Sequence, residues 1–201
     1  MTIKTIINNI RLRINDEDKY RWSDEDLLTI INEAVRFIRN IFVEEMPIMV
    51  AEQQFKGELS KGENVVTVPF DVIKYIDVRC NGKPLHAETM HYLRDTEQEG
   101  TPKVFVPLNK NTLAIFPIPQ ETTKYSVLAV GASVDLVAED ELPFQSDYGD
   151  CVIEYVSMRV SMIDEYDQSV EAQLLGEIRN HIRTKLNDYA PQAHVVQPYY
   201  R

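Results

Sequence analysis

Trp22-Ser23-Asp24-Glu25-Asp26-Leu27-Leu28-Thr29-Ile30-Ile31-Asn32-Glu33-Ala34 is the stretch that decides the fold. It carries the features of a helix start. Ser23 can accept from backbone N–H groups that a first turn leaves without partners, and Asp26 stands where its carboxylate can return the bond. Asp24 and Glu25 place negative charge at the positive end of the helix dipole. Leu27, Ile31, Ala34, Ile38 and Ile41 then recur at alternating steps of four and three, flanked by Leu28, Val35 and Phe42. A stripe that wide needs a partner surface. Pro47 ends the helix or lies just beyond it.

On the N-terminal side, Ile3, Ile6, Ile7, Ile10 and Ile14 fall on one face of another helix, and Asn15-Asp16-Glu17-Asp18 interrupts the pattern. Toward the C-terminus, Leu142-Pro143-Phe144 leads into a helix carrying Val152, Tyr155, Val156, Arg159, Val160, Met162 and Ile163. Asp164-Glu165-Tyr166-Asp167 interrupts it, and Val170, Leu174, Ile178, Ile182 and Leu186 make a further stripe. Helices of this length are marginal when alone in water, so both end zones are expected to bury their stripes against each other in one bundle.

The stretch between reads as strands. Gln54 to Leu59 leads to a turn at Lys61-Gly62-Glu63-Asn64, from which Val65 to Val68 returns. Ile73 to Cys80 meets Asn81-Gly82, a strong hairpin signal because both turn positions need positive φ, and Lys83-Pro84-Leu85 begins the return. Glu88 to Asp95 reads as a short helical piece. Lys103 to Val106 and Thr112 to Phe116 flank Asn109-Lys110-Asn111, and Tyr125 to Val130 closes the set. The expected class is α+β. Residues 1–49 and 139–189 form the two halves of a helical bundle, 50–138 an inserted small antiparallel β domain (sandwich or open barrel), and 190–201 an extended C-terminal arm.

Composition narrows the function. The 201 residues are 44% hydrophobic and 26% charged, as in an ordinary globular protein, and carry a net charge of −11. Such an acidic chain is a poor phosphate-gripping surface, which argues against sequence-reading or duplex-gripping roles. It fits equally an acidic outer surface or, if the chain forms a conduit, a wall that DNA passes without sticking, with an acidic lumen. Cations from among Lys4, Arg11, Arg13, Lys19, Arg21 and the later arginines would then serve subunit contacts. No apolar run is long enough to span a bilayer, and polar residues interrupt Met1 to Ile7, so neither membrane insertion nor an export signal is expected.

The chemistry-bearing residues are dispersed. Cys80 and Cys151 lack a CxxC spacing and read as reduced, at least partly buried thiols. His86, His91, His181 and His194 read as surface residues, because His86 and His91 are not one helical turn apart and no HExxH is present. Asp24, Glu25 and Asp26, and again Asp147 and Asp150, are accounted for by helix starts. Asp135, Glu139, Asp140 and Glu141 read as solvated. GxSxG, P-loop and GxGxxG motifs are absent from a sequence with only seven glycines. No catalytic residue, cofactor or metal ligand is expected.

The Trp22 to Ala34 stretch resembles the helix-opening motif of tailed-bacteriophage head-to-tail adaptor proteins. Val78-Arg79-Cys80-Asn81-Gly82-Lys83-Pro84-Leu85, the Gly100-Thr101-Pro102 break, Leu113-Ala114-Ile115-Phe116-Pro117-Ile118-Pro119 and the closing Leu142-Pro143-Phe144 are similar to its later motifs, in the same order. The likeness covers about residues 20 to 187. It implies a non-catalytic virion protein, made in the host cytoplasm, at the head–tail junction. There it forms a dodecameric homo-oligomeric ring that binds the portal protein and the tail or nozzle protein and lets DNA through. Two rival expectations are a tail-completion protein elsewhere in the virion and a cytosolic enzyme with its site on the β domain.

The last residues depart from helical periodicity. Pro191 and Pro198 forbid a regular helix, yet Val195, Val196, Tyr199 and Tyr200 give the arm more apolar surface than a solvated tail needs. These four and Arg201 are the expected contacts to the portal or the next subunit, with the tyrosines as amphipathic anchors.

Overall fold

The structure, a computed structural model, describes residues 1–51, 53–89, 98–162 and 168–189. They form two compact units. Residues 1–46 and those from 136 onward make a helical unit, and residues 47–135 make a β unit.

In the helical unit, α1 (Ile3–Ile14) starts at Thr2, whose side chain accepts from the Thr5 N–H, and stops at Asn15, which turns left-handed at φ 53°. Helix α2 (Asp24–Glu45) opens on the capping box that its sequence predicts. The Asp26 N–H donates to Ser23 Oγ at 3.0 Å and the Ser23 N–H donates to Asp26 Oδ2 at 3.1 Å. Helix α3 (Gly149–Met162) packs on both α1 and α2, and α4 (Gln168–Tyr189) packs on α2 and α3. The end zones therefore share one bundle. Ile7, Ile10, Leu27, Ile31, Ile38 and Val156 are buried in it, as expected, together with Ile178, Ile182 and Leu186 from α4. Leu174 is a correction. It was expected in the core, but it is only half-buried because it lines a surface groove, and Val170 one turn earlier is exposed.

The chain returns from the β unit along a polar seam. Asn32 on α2 donates to the Leu136 carbonyl at 3.1 Å and accepts the Leu136 N–H at 2.8 Å. The N–H groups of Ile3 and Lys4 donate to the carbonyls of Asp140 and Ala138, and the Leu142 N–H donates to the Met1 carbonyl. The first turn of α1 thus has its spare donors satisfied by the returning strand-like segment.

The β unit is a sandwich. One sheet has the order β1 (Gln53–Leu59), β10 (Thr123–Gly131), β3 (Val72–Cys80), β4 (Lys83–Pro84). The other runs β2 (Val65–Thr67), β8 (Thr112–Phe116), β7 (Val104–Pro107), β5 (His86–Ala87), and β6 (Glu99–Gly100) pairs with β9 (Ile118–Pro119). Leu59, Val78 and Val127 from the first sheet meet Val66, Phe105, Leu113 and Ile115 from the second in one apolar core. The β3–β4 hairpin turns through Asn81 (φ 48°) and Gly82 (φ 77°), as its sequence requires. Gly57 on β1 lies opposite Tyr125 on β10, whose ring covers it where a Cβ would collide.

Three expectations for this region change. The strands at Gln54 to Leu59 and Val65 to Val68 do not pair with each other. The first pairs with β10 and the second with β8, because the Ser60 to Asn64 connection crosses between sheets and lets Leu59 and Val66 enter the core from opposite sides. The domain is also not purely antiparallel. Leu85 turns into the core, its N–H still bonded to Val78, and the following two residues run parallel to β7; β6 and β9 are parallel as well. Finally, Glu88 and Thr89 are not helical, and the rest of the expected helical piece, residues 90–95, lies outside the described residues, as does the expected interruption at 164–167.

Candidate interaction site

The most heavily constructed surface of the helical unit is the connection between α1 and α2. It is built on Arg11, which lies on the same face of α1 as Ile3 and Ile7 and is buried with them. Its guanidinium donates to the Asp16 carboxylate at 2.9 Å, to the Asp16 carbonyl at 3.3 Å, to the Trp22 carbonyl at 3.0 Å and to Asp24 Oδ1 at 2.5 Å. Asp16, buried beside it, accepts the backbone N–H groups of Arg21 at 3.0 Å and Trp22 at 3.2 Å. Lys19 closes the network on Asp24 Oδ2 at 2.6 Å.

These bonds shift the acids. The Arg21 N–H holds the Asp16 carboxyl below the usual carboxylate range, opposed by desolvation and helped by the Trp22 N–H and the Arg11 charge. Asp24 is lowered by its bond from Lys19, then by its bond from Arg11. Two non-glycine residues of the connection, Asn15 and Lys19, adopt left-handed backbone at φ 53° and 57°. The loop is fixed at both ends, and at its tip Tyr20 is 97% exposed.

Beside this loop runs a groove of about 760 Å³, lined by Tyr20 and Trp22 from the loop, Glu154, Met158 and Met162 from α3, and Leu174 from α4. The hydroxyls of Ser157 and Ser161, also in its wall, donate back to carbonyls one turn earlier in α3 and are satisfied there. The groove therefore offers aromatic, thioether and aliphatic surface together with the charged side chains of Arg13, Arg21, Asp16 and Glu154. It suits binding.

The other reactive groups do not assemble. Cys80 and Cys151 are free and buried, one in each unit, and burial pushes the Cys80 thiol up to about 11 and raises Cys151 too. His86 is an exposed strand residue, and His181 stands 3.9 Å from Glu154 at the surface. Among the described residues, no group of three or more His, Cys, Asp or Glu side chains could hold a metal ion. Asp147 and Asp150 lie at the start of α3, where the Lys185 ammonium donates to the Asp147 carbonyl at 2.7 Å.

The expected contact residues Val195, Val196, Tyr199, Tyr200 and Arg201 lie outside the described residues, as do His91 and His194. Sequence reasoning missed the loop network. It read Asp24 only as a dipole partner and offered Arg11 and Lys19 as subunit contacts, whereas both are bound within their own chain. The signal was present, since Arg11 follows Ile3 and Ile7 at helical spacing on the buried face.

No curated protein matches the sequence at a significant level. The model of the SU10 adaptor protein family matches residues 1–196, spanning both units and most of the segment beyond α4. On that near-complete match, the chain belongs to the SU10 adaptor protein family.

Proposed function

We propose that this chain is the ring-forming subunit of a bacteriophage head-to-tail adaptor, joining the portal protein to the tail or nozzle protein at the head–tail junction. The family match over residues 1–196 carries this reading. A structural role also accords with a surface whose main investment is a rigid, exposed loop rather than a reactive cleft. The subunit is made in the host cytoplasm, and the ring is dodecameric.

The charge of −11 per subunit multiplies around a ring and repels phosphate, so an acidic lumen lets DNA pass without binding. The two units act as separate domains. Val195, Val196, Tyr199, Tyr200 and Arg201 form contacts to the portal or to the next subunit.

Negative-stain images of the purified chain with and without portal protein test the reading. Rings seated on the portal's tail-facing end are expected. A folded chain that never associates with portal overturns the proposal, and tight, salt-sensitive binding to duplex DNA overturns the conduit role. Removal of residues 190–201 is expected to leave both units folded and to abolish stable attachment.

A further inference from the structure

We infer that the groove beside Tyr20 and Trp22 receives the C-terminal segment, residues 190–201, of a second copy of this chain. The inference rests on the adaptor reading and names the partner surface for its arm.

The chemistry of the two sides matches. The groove supplies Trp22, Met158, Met162 and Leu174 as apolar surface, and the segment supplies Val195, Val196, Tyr199 and Tyr200. Methionine and aromatic side chains adapt to an incoming ring better than branched aliphatics do. In a chain of net charge −11, residues 190–201 contain no aspartate or glutamate and include Arg201, so this stretch can approach another acidic copy without adding carboxylate repulsion. Glu154 in the groove wall can face Arg201, while Arg13 and Arg21 in the same wall leave the apolar side chains to carry most of the contact.

The loop is also preorganised for contact. Arg11, Asp16 and Asp24 fix the backbone on both sides of Tyr20, so the loop that carries this exposed ring loses little backbone freedom on docking. Tyrosine and tryptophan are the side chains that most often dominate such contacts.

A second copy fits better than the same chain. The groove lies where α4 begins, whereas the segment leaves after Tyr189, where α4 ends. To fill its own groove it would have to reverse at once and run back along α4. Ala190 precedes Pro191 and is biased toward extended backbone, and no glycine follows Gly176 to ease a reversal. Running onward, residues 190–201 span up to about 40 Å when extended, enough to reach a neighbour in a ring.

Disulfide trapping on the full-length chain tests this. One preparation carries Tyr20→Cys and the other Tyr200→Cys; native Cys80 and Cys151 are buried and do not compete. The two are mixed, assembled with portal and oxidised. The expected result is a covalent dimer containing one chain of each kind, lost when excess synthetic peptide of residues 190–201 is present. A chain carrying both substitutions is expected to give a ladder of multimers.

A double variant that closes only on itself as a monomer overturns the inference. So does absence of the mixed dimer while portal-bound rings form normally, a result that leaves the adaptor reading standing. If wild-type chain never binds portal, that reading fails, and the mixed dimer in portal-free protein then decides the groove inference alone. Leu174→Lys, at a half-buried position, serves as a second variant and is expected to abolish trapping while circular dichroism stays unchanged; trapping at the original yield counts against the groove.

Discussion

Among the described residues, the β unit buries apolar side chains and one threonine, Thr123, whereas the helical unit buries Arg11, Asp16, Asn32, Arg39 and Ser157. The difference follows from how each unit is assembled. The β unit is one continuous stretch, and local turns such as Asn81-Gly82 and Asn109 to Asn111 set much of its strand register. Apolar packing then suffices. The helical unit joins two segments separated in sequence by the whole β unit, and non-directional packing alone would leave their register loosely specified. Asn32 clasping Leu136 supplies that direction between the segments, and Arg11 tying α1 to the start of α2 does the same within the first of them.

The comparison breaks most easily in the two cores. Ile31 and Leu113 are fully buried, one in each unit, and Ile31→Ala or Leu113→Ala is expected to cost about 2–5 kcal/mol. Urea unfolding followed by the fluorescence of Trp22 reports the helical unit. Ile31→Ala should move that transition and Leu113→Ala should leave it in place. Equal shifts from both would mean that the units do not unfold separately.

Removing the clasp is the next largest effect. Asn32→Leu keeps the volume but strands the Leu136 N–H and carbonyl, at a cost of about 1–3 kcal/mol read in the same transition. No loss would mean that the seam is held by packing after all.

The ionic loop sharpens the contrast through pH. Asp16 and Asp24 have folded pKa values below their unfolded ones, so their stabilisation is fully present above the unfolded carboxylate range and fades as pH falls through the depressed values. Cys80 runs the other way. Its pKa is raised to about 11, so its contribution is whole below the unfolded thiol pKa and is lost as pH rises beyond it through the folded value. The helical unit should therefore soften first in acid, and Asp24→Asn should flatten that limb of its stability–pH curve. An unchanged curve would remove Asp24 from the network.

Tyr20→Ala should have the smallest effect on stability, within about 0.5 kcal/mol, because the side chain is almost wholly in solvent. A larger loss would show the tyrosine supporting its own loop instead of a partner.

Much of this fold was readable in advance because it is written locally. The capping box at Ser23 and Asp26, the isoleucine face of α1 and the Asn81-Gly82 hairpin each follow from neighbouring residues. What escaped depends on distant ones. Nothing near Gln54 or Val66 says that their strands belong to opposite sheets, since either amphipathic strand could close either face. Arg11 looked like any surface cation, although its spacing from Ile3 and Ile7 placed it inward; only its partners at Asp16, Trp22 and Asp24 make that position tolerable. Leu174 completes the stripe of α4 on paper, yet among the described residues it stays only half-buried.

The two buried cysteines give each unit its own clock. Cys80 sits at the end of β3 and Cys151 in the first turns of α3, and neither side chain can meet a reagent in solution until its surroundings open. Trapping with a thiol-specific label, followed by peptide mapping, would time the opening of each half of the same molecule within a single experiment. Repeated on the proposed assembly with portal, it would show which half that assembly holds shut.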